Sequence, residues 1–83
     1  MSKYEKIIWQ ILRADSSQNI AFADLVYVLK NLGFEMHIKG SHHLFSKAET
    51  EEIINLQPDG SKAKSYQVKQ VRLLILKYQL LGE

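Results

Sequence analysis

Residues 32–45 read Leu-Gly-Phe-Glu-Met-His-Ile-Lys-Gly-Ser-His-His-Leu-Phe (LGFEMHIKGSHHLF), and a change of period inside this stretch decides the fold. Up to Leu32 the apolar residues Phe22, Leu25, Val26, Leu29 and Leu32 recur at three- and four-residue spacing. That is the signature of a helix with one buried stripe, here over about 21–32. Gly33 stands where a helix commonly ends in a left-handed residue, because glycine has no Cβ to clash. From Phe34 the period is two: Phe34, Met36 and Ile38 alternate with Glu35, His37 and Lys39. A half-buried strand has this pattern. Lys39-Gly40-Ser41 is a turn signal, and His42 to Lys47 reads as the return strand of a hairpin.

Outward from this hairpin the other elements follow. Tyr4, Ile7, Ile8 and Ile11, widened by Trp9 and Leu12, predict a first helix over about 3–13. Asp15 to Asn19 is a polar break that no helical period crosses. Ala48-Glu49-Thr50 is a short turn, Glu52 to Gln57 a third strand, and Pro58-Asp59-Gly60 a stop with strong turn chemistry. Val68, Val71, Leu74, Ile75 and Tyr78 line a last helix over about 66–79, with Ser65 as its expected N-cap and Gly82 just past its end. The order is α-α-β-β-β-α. An α+β domain with a three-stranded antiparallel sheet and helices packed on one face buries every stripe most simply. There is no internal repeat and no low-complexity segment.

Composition narrows the class. The chain has 83 residues, so it is one domain with a modest core. Its hydrophobic content of 46% is that of a folded globular protein, which sets aside a disordered tail or linker. There is no cysteine, which excludes disulfides and thiolate metal sites. The N-terminal segment does not read as a signal peptide, and no apolar run approaches the roughly 20 residues of a membrane span. The expectation is a soluble cytoplasmic protein. A formal charge of +2 points only weakly to an acidic or nucleic-acid partner.

Two of the three histidines stand together after Gly40. In a strand His43 shares a face with Phe45, and His42 shares the other face with Leu44. The commonest role for such a pair is structural or simply solvated. A zinc site needs three or four ligands with suitable spacing, and adjacent residues on opposite strand faces chelate poorly, so no metal is expected. General acid-base chemistry fits the residue type, because histidine titrates near neutrality. RNA cleavage asks for a group that deprotonates the 2′-hydroxyl, cations that hold the phosphate and a proton for the leaving oxygen. Lys39, Lys62 and Lys64 are the available cations.

Three stretches together are similar to the HicA family of toxins from toxin–antitoxin systems. They are Leu32-Gly33-Phe34, the run Lys39-Gly40-Ser41-His42-His43-Leu44-Phe45, and Asn55-Leu56-Gln57-Pro58 followed by Lys62, Lys64 and the helix from Gln67 to Tyr78. The resemblance covers about residues 20–81, with residues 1–19 as an additional N-terminal helix and loop that compact members lack. It implies a fold like the double-stranded-RNA-binding domain. It also implies a ribosome-independent mRNA interferase that needs no metal or other cofactor and is neutralised by a HicB-like antitoxin protein. It places the catalytic histidine at His42, or else at His43, and RNA contacts at Lys39, Gly40, Ser41, Lys62 and Lys64. The loop from Gln57 to Ser61 departs from the shorter members. The alternatives are a non-catalytic RNA-binding module, an inactive toxin homologue, or a protein-interaction domain.

Other residues carry weaker expectations. Trp9 reads as core beside the isoleucines. Lys69 and Arg72 read as a solvated face, Tyr66 as sheet packing or a base-stacking ring, and Glu49, Glu51 and Glu52 as a solubilising turn.

Overall fold

The computed structural model describes residues 2–13, 20–48 and 50–80. Its elements are α1 (Lys3–Leu12), α2 (Phe22–Asn31), β1 (Glu35–Lys39), β2 (His42–Ser46), β3 (Ile54–Leu56) and α3 (Ser65–Tyr78), in the expected order. The expected break at 15–19 and Gly82 lie outside the described residues, as does Glu49 of the expected turn at 48–50.

The sheet is antiparallel with strand order β1-β2-β3. Met36 lies opposite Phe45, Phe45 opposite Ile54, and Ile38 opposite His43, which lies opposite Leu56. Strand alternation therefore puts Met36, Ile38, His43, Phe45, Ile54 and Leu56 on one face. Glu35, His37, Lys39, His42, Leu44, Ser46 and Asn55 are on the other. The first face meets the helices. Phe45, Ile54 and Leu56 join Ile7, Ile11, Leu25, Leu29, Val68, Val71 and Ile75 in a single buried cluster.

Local chemistry sets the helix ends. Ser2 and Glu5 close a reciprocal capping box at α1: the Glu5 N–H donates to Ser2 Oγ (3.1 Å) and the Ser2 N–H donates to Glu5 Oε1 (3.0 Å). Gly33 has φ +97°, a conformation that a Cβ disfavours, and this bend turns α2 into β1. Gly40 has φ +63° and Ser41 does not share the positive sign. The Gly40-Ser41 turn is thus of the type II′ family, which suits the twist of a two-residue hairpin.

Four details differ from the expectations. The N-cap of α3 is Lys64, not Ser65, and it makes no side-chain cap. The third strand is shorter than 52–57: Ile53 is 66% exposed, and Glu52 is held instead by Lys77 Nζ (2.6 Å) and the Tyr78 hydroxyl (3.0 Å) at the end of α3. Trp9 is not core but 54% exposed, with the Arg13 guanidinium 4.7 Å from its ring centre. At about 100° per residue Trp9 lies roughly 200° around the helix from Ile7, beyond the isoleucine stripe. Arg72 is half-buried, with Nη1 enclosed. Lys69 and Tyr66 are exposed.

Candidate functional site around His42

The short Gly40-Ser41 turn brings Lys39 directly opposite His42 in the hairpin register. Both side chains point to the sheet face opposite the buried cluster, which carries no helix among the described residues. His42 is exposed, and its Nδ1 lies 3.1 Å from Asn55 Oδ1 across the β2–β3 pair. Beside it, Gln57 Nε2 donates to Ser41 Oγ at 2.9 Å. Two hydrogen bonds from the end of β3 thus fix both the turn and the histidine that follows it. Neither partner is visible in the hairpin sequence alone. Asn55 and Gln57 do alternate with buried residues in the third strand, which is the signal that could have found them.

His43 has the opposite environment. It is half-buried on the helix-packed face, with its ring edge against Phe22 (centroids 5.0 Å apart, 72° between planes). Its Nδ1 is enclosed and has no hydrogen-bond partner among the described residues. Phe22 in turn donates its backbone N–H to the Ser61 carbonyl (3.0 Å), and the Ala63 N–H donates to Ile20 (2.9 Å). The segment after β3 is therefore pinned to the start of α2, next to His43.

That segment carries Lys62 and Lys64. Together with Asp59, Ala63, Ser65 and Tyr66 they line an open hollow of about 370 Å³ at the start of α3. The first turn of α3 has no acidic residue and no side-chain cap. Its free backbone N–H groups and two nearby cations make this end of the helix receptive to an anion. Lys39, Gly40, Ser41 and His42 form one continuous group, whereas Lys62 and Lys64 sit on a separate loop with no hydrogen bond to either histidine. Among the described residues no three His, Cys, Asp or Glu side chains are placed to hold a metal ion. No helix among them is long and apolar enough to cross a membrane.

Comparison of the chain with protein-family models, with curated proteins and with solved structures finds no match.

Proposed function

We propose that the chain is an endoribonuclease of the HicA toxin type, with His42 as its general base. The observation that carries this reading is the contact between His42 Nδ1 and Asn55 Oδ1. An amide oxygen only accepts, so Nδ1 is the donor in this contact, and in the neutral ring that tautomer puts the lone pair on Nε2. A neutral imidazole held in one tautomer on an open surface is what a base for an RNA 2′-hydroxyl requires.

In this reading Nε2 takes the 2′-hydroxyl proton, and the 2′-oxygen attacks the adjacent phosphorus. The bond from phosphorus to the 5′-oxygen breaks, leaving a 2′,3′-cyclic phosphate. The departing 5′-oxygen takes a proton from solvent. Lys39, opposite His42 on the same face, offsets the charge that builds on the non-bridging oxygens. Lys62, Lys64 and the uncapped start of α3 hold a flanking phosphate. His43 supports the strand from the packed side and takes no part in proton transfer. The α-β-β-β-α order that follows α1 is the one expected of a fold like the double-stranded-RNA-binding domain, which supports the same reading. A HicB-like antitoxin would neutralise the toxin by covering the open face around His42.

Induction of the wild-type chain in bacteria, beside His42→Ala and His43→Ala with folding checked by circular dichroism, tests the proposal. Growth arrest with loss of mRNA in wild type and His43→Ala, and normal growth with folded His42→Ala, is the expected result. Equal growth of all three with soluble protein present would leave a non-catalytic RNA-binding module or an inactive toxin homologue in its place.

A further inference from the structure

We infer that the outer edge of β1 is a two-fold interface between two copies of this chain, in which Glu35–Lys39 of one copy pairs antiparallel with Glu35–Lys39 of the other. A two-residue turn makes Lys39 and His42 the hydrogen-bonded pair that closes the hairpin. Alternation then turns the N–H and C=O of Lys39, His37 and Glu35 toward β2, and those of Met36 and Ile38 outward. The same alternation carried across β2 turns the Gln57 backbone away from the sheet. The Gln67 carboxamide meets it there; with its oxygen and nitrogen exchanged so that donor faces acceptor, the nitrogen donates to the Gln57 carbonyl (3.1 Å) and the oxygen accepts from the Gln57 N–H (2.9 Å).

The two edges of the sheet are therefore treated differently. The β3 edge has three strand residues, is followed by Gln57 and Pro58, and has its outward backbone taken by a buried side chain. These are the devices by which proteins close an edge. The β1 edge is longer, with five residues, and among the described residues no element pairs with its outer side. Ile38 lies on the helix-packed face of this edge yet is 60% exposed.

The sequence of β1 is complementary to itself. An antiparallel pair centred on His37 sets Glu35 against the second copy's Lys39, and Lys39 against its Glu35. Met36 then meets Ile38 of the second copy on the apolar face. This register makes the outward-pointing residues, Met36 and Ile38, the hydrogen-bonded pairs. It makes the charged pairs the non-hydrogen-bonded ones, whose side chains approach closer. Among the described residues neither Glu35 nor Lys39 has an ion-pair partner within its own chain. Joining the edges gives one continuous six-stranded sheet and covers Ile38. The contact is smaller than a standard protein interface, so the dimer forms at high protein concentration.

Sedimentation velocity on the full chain, from micromolar to millimolar concentration, reads this directly. The expected result is a monomer that converts to dimer with concentration. Glu35→Lys or Lys39→Glu alone weakens dimerisation about tenfold, because both symmetry-related pairs become repulsive. The double variant Glu35→Lys with Lys39→Glu returns to within about threefold of wild type. Ile38→Lys, a change at an already exposed side chain, gives a loss like that of the single charge reversals. A chain that stays monomeric throughout overturns the inference. So does a dimer indifferent to the single reversals, or a double variant, folded by circular dichroism, that does not regain the dimer.

Discussion

His42 and His43 are neighbours in the chain and opposites in the molecule. His42 lies on the open face, exposed, with one ring nitrogen held by Asn55. His43 lies on the packed face against Phe22, with one ring nitrogen enclosed and unpartnered. The same residue type, one position apart, meets water on one side and core on the other because a strand alternates. The difference teaches that the face, and not the residue pair, decides which imidazole is available for chemistry. The packed face supplies the rigid support, and the open face carries the exposed imidazole on it.

The packed face breaks first. Phe45 is fully buried between Met36 and Ile54, so Phe45→Ala is expected to cost about 3–5 kcal/mol. That is a large share of the stability of a domain this size, and urea unfolding followed by circular dichroism would show it. Gly33→Ala is expected to cost about 1–2 kcal/mol in the same assay, since φ +97° is strained for any residue with a Cβ. The Cβ itself would meet only the movable end of Lys47, so the loss reports the backbone and not a clash. On the open face His42→Ala and Asn55→Ala are expected to change stability by no more than about 0.5 kcal/mol, as exposed substitutions do. Asn55→Ala sharpens the comparison by another route. It frees His42 Nδ1, and nitrogen NMR is expected to show the imidazole passing from one tautomer to a mixture.

The smallest effect is at the C-terminal end of α3. Hydrogen bonds first from Lys77 and then from Tyr78 hold the Glu52 carboxyl below its ordinary value of 4.5, and the Glu52 contact raises Lys77 above 10.5. A carboxylate lowered by folding stabilises the fold above its unfolded value, and that contribution is lost as the pH falls through the folded value. A raised lysine contributes below its unfolded value and loses that contribution as the pH rises through the folded one. Both groups lie at the surface, where solvent screens the pair. Glu52→Gln is expected to lower the melting temperature slightly at neutral pH, with the difference shrinking as the pH falls from 4.5 through the lowered folded value.

Much of this architecture was legible along the chain, because it is written in local pattern. The 3.6-residue period of α2, the glycine bend and the alternation of β1 all lie within the stretch 32–45. The Ser2–Glu5 capping box is also a local signal, serine followed three residues later by glutamate, but the first helix is read from its apolar stripe without it. What sequence did not disclose is non-local. β3 begins only at Ile54, and Glu52 before it is held by Lys77 and Tyr78, which lie 25 and 26 positions away. Trp9 turned outward because three isoleucines already filled the inner stripe. Of the candidate site, Lys39, Gly40, Ser41 and His42 could be read as one group in the hairpin. Alternation in the third strand could mark Asn55 as a polar residue of the open face, but only the register of β2 and β3 sets it beside His42.

The most direct test of the central claim is cleavage of a defined RNA by the purified chain in the presence of a chelator, with the product ends identified. The wild-type chain is expected to cut and leave a 2′,3′-cyclic phosphate. Folded His42→Ala is expected to be slower by about 100-fold or more, whereas folded His43→Ala stays within about tenfold of wild type. Intact RNA with the wild-type chain, or a folded His42→Ala variant that cuts as fast as wild type, would contradict it.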